Sequence, residues 1–151
     1  TDIAKINADI ILNSFNKMGC DAFSPGSKDF SAGLSFLLSL EKNANFPFVS
    51  CNISNKKDEL LFNPFIVKKI NGNRVAIVGL ASSFLSEDVK ILNPILSLEK
   101  TLEKIGDVDL TILLFNASDK DLKLLYNYTI QYNLNYLYRS IQKRIKRYLL
   151  T

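Results

Sequence analysis

Two apolar runs joined by Asn71-Gly72 constrain this chain more than any other stretch. Residues 65–70 and 74–80 flank that dipeptide. Asn-Gly between apolar runs is the strongest short hairpin signal, because the turn that matches strand twist needs positive φ at both central residues. The second run, Val75-Ala76-Ile77-Val78-Gly79-Leu80, is apolar without alternation. A strand of that kind is covered on both faces, so it belongs at the centre of a sheet.

The rest of the chain supplies the cover. Positions 2–18 carry Ile3, Ile6, Ile10, Ile11, Phe15 and Met18 on one helical face, and Gly19 supplies the stop. Residues 21–24 form a short buried strand that breaks at Gly26, and a second helix runs from about Ala32 to Asn43. Pro47-Phe48-Val49-Ser50-Cys51 is a continuous apolar strand, followed by a polar loop over 52–63. After the hairpin come a loop over 81–93 and a helix that Pro94 opens and Ile105 ends. A buried strand over 109–115 leads to Asn116-Ala117-Ser118-Asp119, which caps a helix reaching about Tyr132. Residues 134–138 form a last strand. This order predicts an α/β fold with a mixed sheet flanked by helices. At 151 residues the chain is a single domain, large enough to bury a real core.

Charge is concentrated at one end. The net charge is +4, yet Arg139, Lys143, Arg144, Lys146 and Arg147 fall in the last 13 residues with no acid among them. The basic balance is therefore a property of the tail over 139–151. It reads as a solvated amphipathic end, or one resting on an acidic partner surface. Binding to nucleic acid or to an anionic membrane is the weaker reading, and Tyr138 and Tyr148 alone make no stacking platform for nucleic acid. No apolar run approaches the roughly 18–20 residues a membrane helix needs. The chain begins at Thr1 without Met or a signal peptide, which leads us to expect a mature or excised form.

The turn Gly26-Ser27-Lys28-Asp29 leaves the carboxyl end of a strand, where ligands and catalytic groups collect in α/β folds. It offers a hydroxyl, an amine and a carboxylate. The whole chain contains no histidine, which removes Ser-His-Asp, Cys-His and His-ligated zinc chemistry from its own residues. Cys20 and Cys51 have no metal-ligand spacing and read as small buried hydrophobes; a disulfide between them would need export and suitable geometry.

Five blocks, in order over residues 7–118, resemble the 5'-nucleotidase-like metallophosphoesterases of the calcineurin-like phosphoesterase superfamily. They are the helix and strand ending in Phe15-Asn16-Lys17-Met18-Gly19-Cys20-Asp21-Ala22, then Ser24-Pro25-Gly26-Ser27-Lys28-Asp29-Phe30-Ser31-Ala32-Gly33 on the family's Gly-Asn-His-Glu-Phe-Asp-x-Gly signature. Phe46-Pro47-Phe48-Val49-Ser50-Cys51-Asn52-Ile53, Asn71-Gly72 through Gly79-Leu80, and Asp107-Val108-Asp109 through Phe115-Asn116 are similar to three later blocks. The resemblance implies part of a four-layer αββα sandwich that lacks the family's N-terminal strands, and a periplasmic or extracellular location.

The departures fall on the chemistry. By this resemblance Ser27 and Asn116 occupy metal-ligand positions, Lys28 the position of the catalytic acid, and Ser31 that of its orienting partner. The family's closing Gly-His-x-His is expected at 138–142, where the chain has Tyr138-Arg139-Ser140-Ile141-Gln142. Two divalent ions about 3.5–4 Å apart repel each other and need anionic or imidazole ligands to offset that repulsion. Hence no metal or other cofactor is expected, and Gly26, Ser27, Lys28, Asp29 and Asn116 make a vestigial site. The leading expectation is a catalytically inactive domain acting as a structural or binding scaffold, with a protein partner or larger assembly. One alternative is a metal-dependent phosphoesterase or nucleotidase with altered ligands, using Mn²⁺, Mg²⁺ or Zn²⁺; there Asp29 holds a hard cation and Lys28 stabilises phosphate charge. Another is an interaction module that applies the basic tail to an acidic partner.

Overall fold

The structure, a computed structural model, describes residues 2–131, with side chains placed through Tyr128. Strands β2 (Phe65–Ile70) and β3 (Asn73–Ala81) form the expected hairpin. Asn71 at φ 49° and Gly72 at φ 85° turn the chain, and the strands pair antiparallel from Ile70↔Asn73 to Phe65↔Val78. The other edge of β3 takes β5 (Leu110–Asn116) in parallel, from Val75↔Leu110 to Ala81↔Asn116. Among the described residues the sheet order is therefore β2-β3-β5. Every residue of β3 from Val75 onward is buried, as its unbroken apolar run requires.

Helix α3 (Pro94–Ile105) makes the crossover between β3 and β5. Its first turn is held by the Asn93 Oδ1, which accepts from the Leu96 N–H at 3.1 Å, with Pro94 in the position where a missing N–H costs nothing. Leu98 and Ile105 pack onto Ala76, Val78, Leu80 and Leu113, and Leu125 of α4 (Asp119–Gln131) joins them. The Ser118 Oγ accepts from the Asp121 N–H at 3.2 Å, so Ser118 is the residue that caps α4.

A second core lies under α1 (Asp2–Met18) and α2 (Leu34–Asn43). Leu12, Leu37, Phe46, Phe48, Ile53 and Phe62 are buried together. Phenylalanine rings dominate it; Phe46 stacks on Phe48 at 6.1 Å and Phe23 lies 4.8 Å from Phe48.

This half of the molecule departs from the sequence expectations. Residues 21–24 make one parallel bridge, Phe23↔Phe48, rather than a strand. The Phe23 N–H donates to the Pro47 carbonyl at 3.1 Å and the Val49 N–H to the Phe23 carbonyl at 2.8 Å. Pro25 and Pro47 have no N–H to give, so the ladder cannot lengthen. The segment 47–51 is buried as expected but threads between partners, with the Ser50 N–H on the Asn63 carbonyl and the Cys51 N–H on the Gly79 carbonyl, both at 2.9 Å. The two presumed loops each hold a two-residue strand, β1 (Ile53–Ser54) and β4 (Lys90–Ile91), paired antiparallel. Strands that short have no periodicity to detect. Helix α2 starts at Leu34, because the chain first makes a 3-10 turn at Ser27–Phe30 and then passes Gly33 at φ 89°. Helix α1 forms, but Ile3, Ile6, Ile10, Ile11 and Met18 are exposed, and Leu12 is its buried residue. The buried side of α1 is centred on Leu12 and Phe15 and not on the isoleucine stripe. The strand expected at 134–138 and the basic tail lie outside the described residues.

Candidate functional site: the Gly26 turn against the end of β5

Parallel pairing brings the carboxyl ends of β3 and β5 to the same edge, and the Ser82 N–H, just past β3, donates to the Asn116 carbonyl at 3.3 Å. The Gly26 turn closes on this edge. A Cβ built on Gly26 would stand 2.1 Å from the Asn116 Nδ2 and 2.7 Å from its Cγ, so only a glycine lets the turn approach so closely. Gly26 and Asn116, far apart in sequence, therefore meet. Ser27 and Lys28 follow on the exposed side of the same turn. Four of the five residues expected at a vestigial site are contiguous, and the fold adds Asn116 to them.

Asp29 has a structural task within the turn. Its Oδ2 accepts from the Gly26 N–H at 2.7 Å, while its own N–H donates to the Gly26 carbonyl at 3.0 Å. Partial burial raises the carboxyl above its usual range, and the Gly26 hydrogen bond pulls it part of the way back. Ser31 ends the turn by donating its N–H to the Lys28 carbonyl at 3.2 Å. Phe30 is buried, with its ring 5.4 Å from that of Phe84. The Lys28 ammonium takes part in no ion pair among the described residues, where Lys68–Asp21 and Lys90–Asp58 are the pairs formed.

The donor set does not suit a pair of divalent cations. Ser27 brings a neutral hydroxyl, Asn116 a neutral amide and Lys28 a positive charge, while the one carboxylate is engaged with the Gly26 N–H. Among the described residues no three His, Cys, Asp or Glu side chains gather where they could hold a metal ion. The positions matching the family's closing motif, and the basic residues Arg139, Lys143, Arg144, Lys146 and Arg147, lie outside the described residues.

Sequence reasoning passed over three polar side chains near the strand ends. Asn52 is fully buried and bonds Ala81 twice, its Nδ2 donating to the carbonyl at 2.7 Å and its Oδ1 accepting from the N–H at 2.9 Å. It also reaches the Leu92 carbonyl at 3.3 Å, fixing the thread, the end of β3 and the approach to α3. An asparagine set between the apolar Cys51 and Ile53 was the available signal. The Oγ atoms of Ser24 and Ser82 are buried without a hydrogen-bond partner among the described residues; nothing in their sequence context marks them. Cys20 and Cys51 are free thiols, and burial pushes the Cys51 thiol up to about 11. No helix among the described residues is long and apolar enough to cross a membrane.

The arrangement is that of the calcineurin-like phosphoesterase fold. The chain superposes on the calcineurin-like phosphoesterase YfkN of Bacillus subtilis over 72% of its length and 38% of that chain, with a TM-score of 0.63 and 24% identity. On the 5'-nucleotidase precursor of Thermus thermophilus the TM-score is 0.67 at 27% identity, covering 79% of this chain and 25% of that one. It is also 32% identical over 99 residues to the 5'-nucleotidase of Vibrio parahaemolyticus, which is 65% of this chain and 16% of that protein. No protein-family profile matches the chain. In sequence and fold the chain is similar to part of the 5'-nucleotidase-like metallophosphoesterases, and the match spans less than a fifth of the length of the curated relatives.

Proposed function

We propose that this chain is a catalytically inactive 5'-nucleotidase-like domain, kept as a structural or binding scaffold for a protein partner or larger assembly. The observation that carries the reading is the chemistry of the Gly26–Asn116 contact. A family metal site would need anionic or imidazole donors there, and the residues that meet are glycine, serine, lysine and an amide. Lys28 adds to the unfavourable balance, since an ammonium next to a divalent cation raises the cost of binding it. Asp29 does not redress it, because its carboxylate holds the turn closed. Export to the periplasm or cell surface belongs to the same proposal, and the neighbour described as a 5'-nucleotidase precursor is in keeping with it.

Calorimetric titration of Mn²⁺ into the chelator-stripped chain tests this reading, together with hydrolysis of 5'-AMP. The expected result is no binding heat at millimolar metal and no hydrolysis above a Lys28→Ala control. Micromolar binding at one or two sites, with metal-dependent hydrolysis, would overturn it and move the phosphoesterase alternative to the front.

A further inference from the structure

Between α1, the Ser27–Phe30 turn and α2 lies a cavity of about 370 Å³. That is inside the range of roughly 300–1,000 Å³ found for small-molecule pockets. Phe15, Phe23, Phe36, Phe46 and Phe48 supply rings to its walls. Walls that are mostly apolar and aromatic, with a few polar groups among them, are the usual lining of small-molecule sites. Its polar groups come chiefly from the turn, where Lys28, Asp29 and Ser31 reach the lining.

These groups are not equivalent. The Asp29 carboxylate is already held by the Gly26 N–H at 2.7 Å. Lys28 lines the cavity and is exposed, and its ammonium makes no ion pair or hydrogen bond among the described residues, so it is available to a ligand. A second ammonium, that of Lys5, stands 5.6 Å from the centroid of the Phe36 ring, and Phe36 also lines the cavity. An apolar cavity with the Lys28 side chain in its lining, a second cation on the Phe36 ring and its carboxylate already engaged complements one ligand chemistry better than others.

We propose that this cavity binds a small amphipathic carboxylic acid of about ten to twelve heavy atoms, with its apolar body among the phenylalanine rings and its carboxylate against the Lys28 ammonium. The acid has an aliphatic or an aromatic body, and the two sources share the same head-group chemistry. Neither metal nor hydrolysis is involved, so the site stands or falls separately from the inactive-scaffold reading.

The test uses the full chain in chelator with four probes: octanoate, 4-phenylbutyrate, octan-1-ol and octylamine, followed by ligand-observed NMR. Both acids are expected to bind with Kd below about 1 mM, in line with the efficiency of ligands of this size. The alcohol should bind about fivefold more weakly and the amine more weakly still. The tighter of the two acids identifies the body the cavity prefers. Lys28→Gln should lower the affinity of the acids about fivefold and leave that of the alcohol unchanged. Ala8→Trp fills the space from α1 and should abolish binding of all four probes; if that variant does not fold, Ala32→Phe fills it from the opposite wall. Equal affinity for acid, alcohol and amine would overturn the proposal, as would acid binding that survives both Lys28→Gln and a filled cavity, or no binding by any probe.

Discussion

Strand β3 from Val75 onward and the segment 48–52 are both fully buried, but they are held by different means. β3 is paired along both edges, with residue-by-residue ladders to β2 and β5. Its side chains meet α3 in one continuous apolar layer. The other stretch has isolated bridges, Phe23↔Phe48 and Val49↔Asn63, in place of ladders. Phenylalanine rings and the side chain of Asn52 replace the missing pairing. The difference teaches that burial alone does not need periodic structure, provided each backbone group still finds a partner.

The two regions touch at Gly79, and there the largest effect is expected. A Cβ on Gly79 would lie 1.9 Å from the Val49 carbonyl oxygen and 2.4 Å from its carbonyl carbon. Both sides of that contact are backbone, so neither can swing away as a side chain would. Gly79→Ala should cost more than about 3 kcal/mol, or abolish folding, when followed by urea denaturation. A loss under about 1 kcal/mol would show that the thread is not pressed against β3, and the contrast between the regions would weaken.

This contrast also explains what was legible in the sequence. Asn71-Gly72 between two apolar runs fixed the hairpin, and the unbroken Val75–Leu80 run fixed β3 at the centre, because both signals are local. The caps at Asn93 and Ser118 follow from side-chain chemistry within a single turn. Residues 47–51 gave only the apolar run of a buried strand, and nothing local says that prolines at 25 and 47 would limit its pairing with 21–24 to one bridge. Helix α1 misled for a related reason. It is apolar over much of its circumference, so helical spacing alone could not choose between the isoleucine stripe and the side bearing Leu12 and Phe15. At the site, the Gly26 turn was legible as a glycine-bounded loop. Its contact with Asn116 came from the family resemblance, since local pattern carries no information across that distance in the chain.

A smaller effect is expected at Gly26, and it sharpens the comparison. There the close approach is to a side chain, the Asn116 amide, with its Cβ 3.1 Å away. Gly26→Ala should therefore cost about 1–2 kcal/mol, less than the change at Gly79, since the amide can rotate aside. In an Asn116→Ala background the same substitution should cost less than about 0.5 kcal/mol, which a double-mutant cycle measures directly. An unchanged cost in both backgrounds would mean that the turn meets something other than Asn116.

The smallest single effect, that of a change at Ile10, is read against Leu12 on the same helix, and the pair decides which side of α1 faces the core. Leu12 is 7% exposed, whereas Ile10 is 58% exposed although it lies on the stripe that helical spacing favours. Leu12→Ala should cost about 2 kcal/mol, toward the low end for a buried leucine because it borders the cavity and removes fewer close contacts. Ile10→Gln should stay within about 0.5 kcal/mol, as for a substitution on open surface. Denaturation of the two variants side by side reads the difference. If Ile10→Gln costs as much as Leu12→Ala, the isoleucine stripe is covered in solution, and α1 is packed on both sides rather than on the phenylalanine side alone.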